Sequence, residues 1–212
     1  MTYKDYFVPF PTIKTPRLTL RKVERSDIKD LFEFCRYSES CEYSEWNPHK
    51  SIADTKSFVS WLLLSYKKHT CTVWAIVENT SKKVIGTCNF TSIDDSYKIA
   101  EIGYCLSKDY WGKGVATEAV SALISFGFRR IGLKRIQARI MVENTRSVRV
   151  VQKLGMEYEG TLKKAIYFNS KSQDIMVWAI IDNRYNFLSN NFYKDEFNAR
   201  TNNPWDDGTY SC

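Results

Sequence analysis

Hydrophobic positions along this chain follow two periods, and the points where one gives way to the other mark its elements. Leu18, Leu20 and Val23 alternate with polar residues as a half-buried strand does. Ser26 and Asp27 then precede Ile28, Leu31, Phe32 and Cys35, a three-to-four spacing that predicts an amphipathic helix. A second helix is predicted from Ser51, with Asp54 placed as in a capping box and Ile52, Phe58, Val59, Leu62 and Leu63 as its buried face. Residues 72–77 and 84–90, separated by a polar stretch, predict a hairpin. Residues 99–106 are β-branched and aromatic, as a strand should be. They lead through Gly112, Lys113 and Gly114 into a helical period at Ala116, Val120, Leu123, Ile124, Gly127 and Ile131. Residues 135–142 predict another strand, and Asn144 caps a short helix that ends at Gly155. Residues 158–168 and 174–181 predict a last pair of strands around a turn at 169–172.

This order predicts a mixed α/β fold whose sheet is partly antiparallel and partly parallel. The first fifteen residues, proline-rich and without a clear period, are expected to form an extended lead-in. One domain is expected over residues 1–186, with its core at about 15–185. Residues 187–212, rich in Asn and Asp, are expected to form an extension that docks, pairs with a second subunit or stays mobile.

A chain of 212 residues suits one well-buried domain. The cysteines at 35, 41, 71, 88, 105 and 212 include no C-x-x-C pair, and four lie in apolar runs, so reduced thiols are expected. The longest apolar-rich run, residues 58–64, is far short of the ~20 residues of a membrane span. Lys4 and Asp5 interrupt any signal-like core. A cytoplasmic protein without a membrane partner is expected. The net charge of +7 is dispersed and no nucleic-acid module appears, so a polyanionic cofactor is a sufficient partner for part of it. No metal site is predicted.

Glycines at 112 and 114 before a helix allow close backbone approach, and the free amides and dipole of the helix start favour a phosphate or pyrophosphate. An ordinary flexible helix start explains the same residues. A nucleotide P-loop fails, because Ser107 stands where a glycine is needed and Gly114 follows Lys113. A dinucleotide fold, and with it an oxidoreductase, lacks its third glycine at Thr117, although Glu143 lies roughly where an acidic ribose ligand could be.

The run Ala100-Glu101-Ile102-Gly103-Tyr104, then Trp111-Gly112-Lys113-Gly114-Val115-Ala116, Asn144-Thr145-Arg146-Ser147 and Lys153-Leu154-Gly155-Met156 resembles the GNAT acetyltransferase superfamily, within it the RimJ/RimL-like ribosomal-protein N-acetyltransferases. The resemblance covers about residues 15–185. It implies a V-shaped opening between two parallel strands, helices on both faces, and acetyl-CoA as cofactor. Coenzyme A would then be held by Cys105, Leu106, Ser107, Trp111, Gly112, Lys113, Gly114, Val115, Ala116, Thr117, Asn144 and Ser147. The resemblance makes Glu101 the candidate base and Ser147 the candidate acid, with Tyr167 and Tyr104 in reserve. An exposed strand carboxylate and a helix-turn hydroxyl are the plainer readings of Glu101 and Ser147. Val151 replaces a tyrosine used by many members, Trp111 the usual Gln or Arg, and Ile166 a glutamate of some RimL-like enzymes.

Between residues 24 and 45 stand seven acidic residues against three basic ones, about −4 within a chain of +7. On the resemblance this segment walls the acceptor side. Glu42, Glu45 and Glu39, with Tyr43 and Trp46, and Tyr167 further on, are candidates to receive a cationic amine. A solvated helix surface explains the same charges. Acetyl transfer to a protein or peptide N-terminus is the leading reading. A polyamine or other small amine, or a coenzyme A-binding module with weakened catalysis, is the alternative. Monomer and homodimer both remain open.

Overall fold

The computed structural model describes residues 2–44, 46–168 and 170–185. Its strands are β1 (Ile13–Lys14), β2 (Leu18–Arg21), β3 (Val73–Glu78), β4 (Val84–Asp94), β5 (Ile99–Leu106), β6 (Arg135–Met141), β7 (Glu157–Phe168) and β8 (Lys171–Ile181). They form one sheet in the order β1-β2-β3-β4-β5-β6-β8-β7, antiparallel except where β5 meets β6. The helices are α1 (Ile28–Cys35), α2 (Ser38–Cys41), α3 (Ile52–Lys67), α4 (Val115–Phe126) and α5 (Thr145–Lys153). The mixed α/β expectation and the order of the long elements hold.

Strand β3 explains the layering. Trp74 and Ile76 pack with α4 in one core cluster, whereas Ala75 and Val77 pack with α1 and α3 in the other. Successive side chains of a strand point to opposite faces, so a strand covered on both sides must be apolar without interruption, as residues 73–77 are. Helices α1 and α3 therefore lie on one face of the sheet, and α4 and α5 on the other.

Local sequence sets the helix ends. The Asp54 carboxylate accepts the amides of Lys50 and Ser51, both at 2.9 Å, and so starts α3. The buried register of α3 is Thr55, Val59, Leu62 and Tyr66, and Ile52, expected inside, is exposed at the first turn. In α1, Phe34 takes the deeper position and Phe32 is half-buried. The helical period of α4 continues to Ile131 through a π-helical turn over Gly127–Ile131. The last hairpin is tighter than expected: Phe168 pairs with Lys171, so residues 171–173 belong to β8.

The lead-in departs most from expectation. Tyr3–Phe7 form a 3₁₀ turn, β1 pairs with β2, and Phe7 is buried with its ring 5.9, 5.6 and 6.1 Å from those of Phe10, Trp74 and Phe126. The few aromatic anchors before and between these prolines repeat at no helix or strand period, so the pattern could not reveal them. Helix α2, four residues long, was likewise unsignalled.

The expected V-shaped opening is present. Parallel pairing joins β5 to β6 only at Ile99–Arg135, Ala100–Ile136 and Glu101–Gln137. Beyond these pairs β5 follows β4 to Leu106, while β6 follows β8 to Met141. The five cysteines among the described residues are free thiols, and Cys212 lies outside them, as do residues 186–212. Among the described residues no helix is long and apolar enough to cross a membrane.

Phe7→Ala should lower the unfolding free energy by about 3–5 kcal/mol, the usual cost of emptying a buried aromatic site. Urea unfolding checks this, and a loss below about 1 kcal/mol would show that the lead-in is not part of the core.

Candidate functional site in the cleft between β5 and α5

Where β5 and β6 part, a cavity of about 410 Å³ opens, lined by α4 and α5 from one face and by α2 and Cys105 from the other. Its walls come from the end of β5, the loop into α4 and its first turn, one face of α5 along its length, and α2 with the residues after it. The β5 wall is brought close to β4 by Gly86, where a Cβ would stand 2.3 Å from the Cys105 carbonyl oxygen.

The loop into α4 turns at Gly112 (φ +73°) and Gly114 (φ +75°), left-handed backbone that favours glycine. Arg17 holds this turn in place. Its Nη1 donates to the Lys113 carbonyl at 2.9 Å and its Nε to Glu118 Oε2 at 2.6 Å. The other Glu118 oxygen accepts from the Arg17 amide and from Thr15 Oγ1 at 2.9 and 2.6 Å. Val115, Ala116 and Thr117, the first turn of α4, stand in the cavity wall, at the end of the helix whose amides lack internal partners. Trp111 is fixed by its indole N–H donating to the Leu106 carbonyl at 2.8 Å, and the Arg146 guanidinium lies 4.0 Å from its ring centroid.

Asn144 caps α5, its Oδ1 accepting the Ser147 amide at 3.1 Å. The Tyr104 hydroxyl donates to the Ser147 carbonyl at 3.3 Å and ties β5 to α5. Burial pushes the Tyr104 phenol up to about 12, so it keeps its proton at neutral pH. Cys105 Sγ donates to the Ser40 carbonyl at 3.1 Å. Burial pushes this thiol up to about 12 as well, which makes it a poor nucleophile.

Charge is arranged across the opening. Arg146, Arg149 and Lys153 recur at helical spacing along α5 and all line the cavity. On the α2 side, Glu39 pairs with Lys108 at 3.4 Å and Glu42 with Arg146 at 3.0 Å. Exposed pairs of this kind are screened by solvent and add little stability, so their importance is where they hold α2.

Ten of the residues singled out for a cofactor stand in the wall: Cys105, Leu106, Trp111, Gly112, Gly114, Val115, Ala116, Thr117, Asn144 and Ser147. Ser107 and Lys113 do not. The Ser107 amide bonds the Ile85 carbonyl at 2.8 Å, and the Lys113 ammonium sits 5.5 Å over the Tyr110 ring. Glu101 also lies outside the wall, half-buried at the paired end of the opening, with its carboxylate 3.4 Å from Gln137 Nε2. Tyr43 lines the cavity, whereas Trp46 is not in its wall and packs against His49, with ring centroids 5.7 Å apart. Tyr167 is 76% exposed on the β7–β8 hairpin, away from the cavity, and Glu45 lies outside the described residues. Val151 is fully buried. The pattern missed Ser40, Arg146, Arg149 and Lys153. The basic spacing of the last three was visible, but it is also that of any solvated helix face. Among the described residues no group of side chains could hold a metal ion.

The acetyltransferase (GNAT) domain family matches residues 17–157. The ribosomal-protein-serine acetyltransferase of Escherichia coli K12 is 29% identical over 178 residues, covering 82% of this chain and 98% of that protein. The spermidine N(1)-acetyltransferase of Vibrio cholerae is 24% identical over 172 residues, covering 80% of this chain and 95% of that protein. A crystal structure of a GNAT-family acetyltransferase from Bacillus anthracis superposes with a TM-score of 0.73 at 29% identity, covering 82% of this chain and 99% of that one.

Proposed function

Because the chain belongs to the GNAT acetyltransferase family, its matched region spanning residues 17–157, we propose that it acetylates the α-amine of a protein or peptide N-terminus, in a ternary complex with acetyl-CoA. The observation that carries the reading is the parting of β5 from β6 over a cavity whose wall combines a glycine loop, a helix start and a basic helix face. This set suits coenzyme A: amides and guanidinium groups for its phosphates, and a neutral wall of Ser40, Tyr104, Cys105 and Leu106 for its thioester end. When bound, acetyl-CoA supplies the activated acetyl group.

In this reading the amides of residues 112–117 receive the pyrophosphate at the start of α4, with Arg149 and Lys153 beside them. Asn144 stands near the pantetheine arm. Ser147 Oγ, in the first turn of α5, passes a proton to the departing sulfur and takes one back from water, while the Tyr104 hydroxyl on β5 holds the Ser147 carbonyl. Glu101 accepts the proton of the amine. It lies four strand residues from Cys105, about 13 Å along β5, so it acts through bridging water. An α-amine near pKa 8 costs only about 1.4 kcal/mol to deprotonate at pH 7, against about 4.6 for a lysine-type amine. A remote base therefore suits an α-amine better. Residues 1–186 act as one domain in this proposal.

A second reading, a polyamine acceptor, is favoured by the acidic stretch containing Glu39 and Glu42. Free-thiol release on a panel of neutral and Lys-rich N-terminal peptides and spermidine separates the two. Peptides should be turned over fastest, with the Lys-rich ones weakening as salt rises and Glu42→Gln reducing their advantage several-fold. Faster turnover of spermidine would select the polyamine reading, and no thiol release with any amine would overturn both.

Gly114→Glu should remove most coenzyme A affinity, since the position needs φ +75° and a carboxylate would oppose the pyrophosphate. Undiminished binding in calorimetry would move the phosphate site elsewhere. Glu101→Gln should lower turnover about tenfold at pH 7, the deprotonation cost of an α-amine, and progressively less as rising pH deprotonates the amine without help, leaving cofactor affinity intact. An unchanged pH–rate profile would remove the base role from Glu101.

A further inference from the structure

Two buried side-chain polar atoms among the described residues have no hydrogen-bond partner, Ser40 Oγ and Trp178 Nε1, and only Ser40 lines the cavity. Ser40 is 8% exposed, in the middle of α2. A serine hydroxyl in a helix ordinarily bonds back to the carbonyl three or four residues earlier. Here the Tyr37 carbonyl already takes the Ser40 amide at 3.1 Å and the Cys41 thiol at 3.7 Å, and Cys41 also reaches the Ser38 carbonyl at 3.4 Å. The Ser40 carbonyl in turn receives the Cys105 thiol. With the nearby Tyr37, Ser38 and Ser40 carbonyls taken in this way, the Ser40 hydroxyl is left without a partner. Leaving a buried hydroxyl unpaired is costly, so its retention calls for a partner that arrives from outside.

Its surroundings indicate which part of a ligand that partner is. The cationic side chains Arg149 and Lys153 and the glycine loop gather on the α4–α5 side of the cavity, where anionic groups are satisfied. Ser40, bonded through its carbonyl to Cys105 at the end of β5, borders the neutral part of the wall. Building on the acetyl-CoA reading, we propose that Ser40 Oγ, after rotation about χ1, donates a hydrogen bond to the carbonyl oxygen of the acetyl thioester, and so distinguishes acetylated from free coenzyme A. The residue comes from α2, an element that the ion pairs Glu39–Lys108 and Glu42–Arg146 hold against the cleft. A shift of α2 therefore moves this donor along with the acceptor-side wall.

Calorimetry with acetyl-CoA and with free coenzyme A, on the wild type and on Ser40→Ala, tests the proposal. The wild type should bind acetyl-CoA about three- to tenfold more tightly than coenzyme A, the range of one net hydrogen bond. In Ser40→Ala that ratio should fall to about one, with coenzyme A affinity unchanged, kcat reduced and the melting temperature equal or higher, because the deleted hydroxyl has no partner within the protein. An unchanged ratio, or a melting temperature lowered by several degrees, would overturn the role of Ser40 alone. Failure of the wild type to bind coenzyme A at all would overturn the cofactor reading and the proposal with it.

Discussion

Three parallel residue pairs hold β5 to β6, and the cleft exists because the pairing stops there. A strand edge that loses its partner leaves backbone N–H and C=O groups unpaired, and burying them would be costly unless another donor or acceptor is supplied. Each strand is held on its other side: β5 by β4 along its whole length, with Gly86 permitting contact at Cys105, and β6 by β8 from Arg135 to Met141. Neither strand can swing back to close the gap without breaking an antiparallel ladder. The opening is therefore a stable property of the sheet, and α4 and α5 pack against the same face to give it walls.

The second constraint is charge. Acidic residues gather near 24–45, and the fold brings two of them, Glu39 and Glu42, against basic side chains at the rim of the cleft. Glu42 meets Arg146, which also stacks on Trp111, and Glu39 meets Lys108, which lies 4.4 Å from the centre of the Tyr37 ring. Arg146 thus faces the acidic segment and lines the cavity at once. An anion entering the cleft competes with Glu42 for this guanidinium, and the two sides of the site share one electrostatic balance.

Similar logic applies to the glycine loop. Its glycines are required by left-handed backbone, but what fixes the turn is Arg17, about a hundred residues away, clamping Lys113 and Glu118. Thr15 completes the clamp, so the end of the lead-in belongs to the architecture of the site.

Much of the fold was legible because burial on a sheet or helix imposes a period. The unbroken apolar run at 73–77, the alternation at Leu18 and Leu20, the cap at Asn144 and the left-handed Gly155 each state a local requirement that the sequence meets locally. The glycine loop and the Asn144 motif were legible for the same reason. Phe7 and Ser40 were not. An isolated aromatic becomes core only when Trp74 and Phe126 surround it, and a serine becomes an unpartnered buried hydroxyl only when Cys105 and α2 close around it. Glu101 marks the boundary between the two. Its interruption of an apolar strand was plain in the sequence, but its distance from the cavity depends on where β5 parts from β6. Local conformation follows from neighbours in the chain. The position of a side chain relative to a cleft follows from long-range packing, which no local period records.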